Sequence, residues 1–350
     1  MNQLMQEIEK RIVFCDGGMG SLLQARGLLP GELPETWNVL HPEDVTMIHK
    51  EYIEAGADII ATNTFGANCL KFPEDGAFPA SALIRAAVEN VQKAARLAAV
   101  GRKTYVALDI GPTGKLLQPL GDLSFDRAYE VFSGIVRAGA AAGADLVLIE
   151  TMSDSYEVKA AVLAAKENCS LPVFATMIFD EKGKLLTGGN VASVVSMLEG
   201  LGVDALGINC GLGPFQMEGI LEELLTYASV PVIMNPNAGL PRSENGATVY
   251  DIDADTFADA MERMVKKGVR VAGGCCGTTP EHIRLLVKRC AGLSPLPVVR
   301  KNRTFVSSYA NAVEIGPKPV IIGERINPTG KSRFKQALRD HDIDYILQEA

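Results

Sequence analysis

The sequence predicts an α/β protein built as a (β/α)8 TIM barrel, and three observations carry that prediction. First, one phrase recurs with variation: a helix ends in Gly, a charged residue follows closely, and a short Val/Ile/Leu run closes in polar residues. Its copies are AGADIIATNT (55–64), AGADLVLIET (142–151), LGVDALGINC (201–210) and KGVRVAGGCC (267–276). Gly at a helix C-terminus before a short apolar run is the turn into a parallel strand buried on both faces. Second, strand and helix patterns alternate eight times in the first 300 residues with no antiparallel hairpin signature, which favours a closed barrel over an open sheet. Third, the nucleotide-binding open sheet lacks its fingerprint here: no Gly-x-Gly-x-x-Gly follows a strand, and no Walker spacing precedes Lys331-Ser332.

In chain order, the apolar runs expected as strands lie at 12–15, 58–62, 104–109, 145–150, 172–178, 204–209, 230–235 and 269–273. Helical stretches between them include 42–55, 80–99, 125–142, 156–166, 254–267 and 280–290. The barrel is therefore expected to occupy residues 1–293. Residues 294–319 are Pro-containing and irregular, expected as a linker, and 320–350 open a fresh βα unit, with VIIGERIN as its strand and a helix over 332–338. One βα unit cannot bury both faces of its strand, so it reads as the first step of a second barrel that this chain does not contain.

Composition bounds the function classes. Hydrophobic residues make up 47% of the chain and charged residues 22%, ordinary for a folded soluble protein. The net charge is -8, from 34 basic and 42 acidic residues without a dense Lys/Arg run, which argues against nucleic acid as a partner. The opening MNQLMQEIEK lacks the apolar core of a signal peptide, and no long apolar run occurs, so neither export nor a membrane is expected and the protein is assigned to the cytoplasm. Its 7 cysteines form an odd set, which suits reduced thiols better than a disulfide framework.

Residues at the C-terminal ends of barrel strands face one mouth. Here they are Asp16, Thr62 and Asn63, Asp109, Glu150, Thr176, Asn209 and Cys210, Asn235 and Asn237, and Cys275 and Cys276. Cys210 follows strand six and Cys275-Cys276 follow strand eight, so three sulfurs can converge at that mouth, the glycines of GGCCG letting the backbone turn tightly beside them. Three thiolates suit tetrahedral zinc and leave one coordination position open, the mark of a catalytic site. A thiol entering that position is held deprotonated, and the anionic centre keeps its sulfur electron-rich, which suits alkyl transfer to sulfur. The competing reading of any cysteine is a small buried hydrophobe, and it is assigned to Cys15, Cys69, Cys169 and Cys290.

DGGMGSLLQ (16–24), TNTFGAN (62–68), DIGPTG (109–114), LIET (148–151), GINCGLGP (207–214), PNAG (236–239) and GGCCGTTPEHI (273–283) resemble the homocysteine-binding barrel of the cobalamin-dependent methionine synthases, the 5-methyltetrahydrofolate-homocysteine methyltransferases. The resemblance spans 11 to about 290, with Gly18 and Ser21 standing where Ala and Thr are expected. It implies zinc on Cys210, Cys275 and Cys276, and attack by the zinc-held homocysteine thiolate on the methyl group of methylcobalamin to give methionine.

It also implies a substrate set of Asp16, Gly17, Thr62 and Glu150, the carboxylates taking the ammonium and backbone N–H and hydroxyl groups facing the carboxylate. Each side chain has a structural alternative: a helix cap for Asp16, an ion pair for Glu150, a plain strand residue for Thr62. Asn237 either caps a turn or lends zinc an oxygen. Betaine- and S-methylmethionine-dependent homocysteine methyltransferases share the barrel and the cysteines, and a non-catalytic homocysteine-binding module is the further alternative. VIIGERINPTG (320–330) resembles the opening of the methyltetrahydrofolate-binding barrel, with Glu324 and Asn327 matching its motif. The expectation is a fragment or split component whose cobalamin-binding and folate-binding domains lie elsewhere in the same enzyme or on a separate subunit, since the Asp-x-His-x-x-Gly cobalamin motif is absent.

Overall fold

In the computed structural model the described residues are 2–244, 247–323 and 327–349. Eight parallel strands form the barrel: β1 (Val13–Phe14), β2 (Ile59–Ala61), β3 (Tyr105–Ile110), β4 (Leu146–Met152), β5 (Val173–Met177), β6 (Ala205–Asn209), β7 (Val232–Asn235) and β8 (Val271–Ala272). Ladders run in order from β2 to β8 and from β8 back to β1. Between β1 and β2 the ring closes through backbone bonds, Asp58 N–H to the Phe14 carbonyl at 2.8 Å and Asp16 N–H to the Ile59 carbonyl at 3.1 Å. The fold is the expected (β/α)8 barrel.

Strand side chains alternate between two cores. Val13, Ile59, Tyr105, Leu148, Phe174, Ala205, Ile233 and Val271 touch one another across the ring, a contact open only to inward-facing residues. Phe14, Val147, Ala175, Leu206, Met234 and Ala272 face the surrounding helices. Helices Pro42–Ala55, Phe125–Ala142 and Ala254–Lys267 match the expected spans, and the glycines that follow them, Gly56, Gly143 and Gly268, have φ of 113°, 95° and 134°. The recurring phrase of the sequence is thus a left-handed helix stop feeding a strand.

A helix that the charged N-terminus concealed, Gln3–Lys10, places Leu4 and Ile8 in the inner core beside the strand starts. It closes the end of the barrel opposite the mouth. Among the described residues no helix is long and apolar enough to cross a membrane.

The chain divides into two compact units, Met1–Asn302 with Val306–Val313, and Arg303–Phe305 with Glu314–Ala350. Residues 294–319, expected as an irregular linker, contain an antiparallel strand pair, Thr304–Ser307 with Ala312–Ile315. The stretch between these strands belongs to the first unit for a physical reason: Tyr309 donates to Asp154 at 3.0 Å, its ring meets Tyr156 edge-on at 4.9 Å, and the Ala310 carbonyl accepts from Asn190 N–H. In the second unit, helices Ser332–Asp340 and Ile343–Glu349 pack through Phe334 and Tyr345. The strand expected over VIIGERIN is not formed at 320–323, which has no partner ladder among the described residues; Glu324 lies outside them.

Candidate active site

All seven residues expected at the site, Asp16, Gly17, Thr62, Glu150, Cys210, Cys275 and Cys276, line one cavity of about 250 Å³ at the mouth. The fold brings them together because each stands at or just beyond the end of a strand. Two departures from regular backbone aim them. At the end of β6, Cys210 takes φ 57° and Gly211 φ 74°, a sharp left-handed turn costing about 1–2 kcal/mol at the cysteine. Near the end of β4 the register with β5 slips between Ile149 and Met152, bulging out Glu150 and Thr151, and Thr151 takes φ 60°.

The glycines beside the paired cysteines act differently from the expectation that all of them serve a tight turn. Gly277, at φ 78°, does make the left-handed turn. Gly274 is needed for close approach, since a Cβ there would lie 2.3 Å from Thr278 Oγ1 while its N–H bonds the Asp16 carbonyl. The sulfurs of Cys210, Cys275 and Cys276 lie within 4.8 Å of one another. Cys210 and Cys276 are 3.8 Å apart. Four ligands at about 2.3 Å in a tetrahedron have edges of about 3.8 Å, so the trio fits zinc as it stands. Asn237 caps the turn, its Oδ1 accepting Cys276 N–H at 3.1 Å.

Among the described residues, the cavity lining holds no Lys, Arg or His. Burial pushes Asp16 well above the usual carboxylate range, an N–H bond from Ala61 offsets part of this, and the neighbouring Glu150 adds to it. Burial likewise raises Asp109, again with Glu150, and Asp109 Oδ1 is buried without a hydrogen-bond partner. Glu150 is pushed up to about 7, by burial first and the Cys276 charge second. Cys276 is driven down by hydrogen bonds from the Cys210 and Cys275 thiols, and Cys275 is driven up by the same sharing. A wall of acids and sulfurs of this kind is built to receive cations.

Thr62 has its proton committed. Thr64 donates to the Asp109 carbonyl at 2.7 Å, so the 2.6 Å contact between the two hydroxyls runs from Thr62 to Thr64, while Thr62 Oγ1 accepts Asp109 N–H. Gly17 offers only backbone, because a Cβ would lie 2.5 Å from Thr278 Oγ1 and 2.9 Å from the Tyr52 hydroxyl. Sequence reasoning left out Asp109 and Asn235, whose unpartnered Oδ1 atoms belong to cavity-lining residues, although their strand-end positions were a signal. It also missed Glu35, which lines the cavity from the single 3-10 turn Pro34–Thr36 and bonds Gly66 N–H and Lys71; no periodicity marks such a position.

Comparison with known proteins accords with this geometry. The methionine synthases of Mycobacterium leprae (strain TN) and Mycobacterium tuberculosis (strain ATCC 25618 / H37Rv) are each 32% identical to the chain, over 371 and 366 residues, covering 99% of it. The chain spans about 30% of the length of these curated relatives. Among solved structures, the metallated form of the homocysteine methyltransferase MmuM from Escherichia coli superposes with a TM-score of 0.70 at 27% identity, covering 82% of this chain and 99% of that one. Its oxidized form gives 0.68, with 79% and 96% covered. The family model for homocysteine S-methyltransferase matches residues 13–290, from the first barrel strand to the last barrel helix, and the chain therefore belongs to the homocysteine S-methyltransferase family of methyltransferases.

Proposed function

We propose that the barrel is the homocysteine-activating domain of a methionine synthase, holding zinc on Cys210, Cys275 and Cys276 and methylating homocysteine from methylcobalamin delivered by a domain outside this chain. The observation that carries the reading is the convergence of the three sulfurs, on strands β6 and β8, at a spacing that suits tetrahedral zinc. When bound, zinc supplies the Lewis acidity that keeps the substrate sulfur a thiolate at neutral pH.

The chain's own residues then bind and orient. Asp16 and Glu150 receive the substrate ammonium, and Thr62, whose own proton goes to Thr64, accepts a further N–H from it. The Gly17 backbone N–H faces the substrate carboxylate. Held so, the sulfur lone pair meets the methyl carbon, the S–C bond forms, and the leaving group departs with the bonding pair.

Methylcobalamin is favoured over betaine or S-methylmethionine because the match to the two methionine synthases covers 99% of the chain, tail included, whereas that to the metallated MmuM covers 82%. On this reading residues 1–293 are the zinc barrel, 294–319 the connection, and 320–350 the start of a methyltetrahydrofolate-binding domain. The folate- and cobalamin-binding domains would be its partners, and free thiols support a location in the cytoplasm.

The test is to mix zinc-loaded protein with free methylcobalamin and homocysteine. Methionine should form, and should not form from betaine or S-methylmethionine. A protein that takes up homocysteine yet makes no methionine from methylcobalamin would be a binding module instead.

A further inference from the structure

With homocysteine in place four sulfurs meet at one point, and only one of them is to take the methyl group. The structure gives one of the three protein sulfurs, that of Cys275, a buried amide donor. Asn209 is fully buried, and its Oδ1 accepts Thr151 N–H at 2.7 Å and the Thr176 hydroxyl at 2.8 Å. A backbone N–H can only donate, so the amide oxygen must stand on that side. The amide nitrogen is thereby aimed at Thr151 Oγ1, at 2.7 Å, and at Cys275 Sγ, at 3.8 Å. The Tyr250 ring lies against Gly277, beside Cys276, where a Cβ would come within 2.3 Å of it.

Resting on the zinc reading above, we propose that Asn209 is a positioning residue that acts through Cys275, holding that sulfur less nucleophilic than the incoming thiolate so that the methyl group does not go to it. Methylation uses a sulfur lone pair to form the C–S bond while the leaving group takes the electrons of the bond that breaks. A lone pair engaged by an N–H or O–H must weaken that bond as the new one forms, which raises its barrel-side barrier. The incoming thiolate is left more reactive than Cys275. Methylation of a protein cysteine would turn an anionic ligand into a neutral thioether and spoil the site, so the protection preserves the enzyme over many turnovers.

The test uses methyl iodide, a donor small enough to reach any sulfur, on the zinc-loaded protein without homocysteine. Peptide mass spectrometry locates S-methylcysteine, and zinc content is measured in parallel. Asn209→Ala should raise methylation at Cys275 about tenfold, the rate effect of one hydrogen bond to a charged group. Methylation at Cys210 and Cys276 should stay as in the wild type, with Cys69, which is partly exposed, as the unchanged reference. A merely structural role would loosen the site and methylate the three cysteines together. An even rise, or no rise, in a variant that keeps its zinc overturns the proposal, as does loss of zinc from the variant. A wild-type protein that holds no zinc would overturn the metal assignment itself, and this proposal with it.

Discussion

The two ends of the barrel carry buried charge in opposite ways. Where the strands begin, Asp58 is 2% exposed and fully answered: Arg11 meets it at 2.8 and 3.1 Å, Arg102 at 3.5 Å, and Phe14 N–H at 3.0 Å. Arg270, 3% exposed, donates there to the carbonyls of Leu296 and Glu9. Where the strands end, Asp16, Asp109 and Glu150 line a cavity whose walls hold no cation among the described residues, and two acceptor atoms there are left without partners. Burial without a cation raises the pKa of these acids instead of leaving a bare charge, and an arriving ammonium would favour the ionised form. One end is built for stability and the other for binding.

The comparison is broken most readily at Glu150. Glu150→Gln should weaken homocysteine binding to the zinc-loaded protein about 100-fold, the loss of one charge-assisted contact, while leaving the melting temperature level or higher. Titration calorimetry and a thermal scan decide it: a lower melting temperature with unchanged affinity would make Glu150 part of the scaffold. Asp58→Asn should do the reverse, costing about 2 kcal/mol of stability through its half-exposed arginines while sparing homocysteine affinity. Urea unfolding measures the first and calorimetry the second.

A smaller effect sharpens the picture away from both ends. His49 is fully buried on the helix Pro42–Ala55 with neither ring nitrogen partnered, and burial lowers its pKa to about 3. The unfolded chain takes up a proton near pH 6.5 that the folded chain refuses, so this contribution is complete above 6.5 and declines as pH falls toward about 3, by at most about 1.4 kcal/mol per unit. Urea midpoints of metal-free His49→Leu between pH 7 and 5 should therefore fall less steeply than those of the wild type. Parallel slopes would contradict this.

The barrel and its cavity were legible because both follow from local pattern. Gly-terminated helices feeding Val/Ile/Leu runs define the strands, and once the strands are placed their ends are placed too, which is why Cys210 and Cys275 could be brought together from the two strand-end positions. What was hidden lies where periodicity says nothing. The plugging helix offers only Leu4 and Ile8 as buried residues, Tyr309 works through one ring and one hydroxyl in a Pro-containing stretch, Glu35 reaches the site from a single 3-10 turn, and Tyr250 packs on Gly277 from a loop. Thr62 stood at the right place, but no pattern in the sequence reveals that Thr64 has claimed its proton.

The central claim, that three cysteines present zinc with one position open to a thiol, is tested most directly by X-ray absorption at the zinc edge of the purified protein. One zinc per chain with three sulfur neighbours is predicted, rising to four when homocysteine is added, and Cys276→Ala should lose the metal. A sulfur count that does not rise with homocysteine, or full zinc retention in Cys276→Ala, would contradict the account.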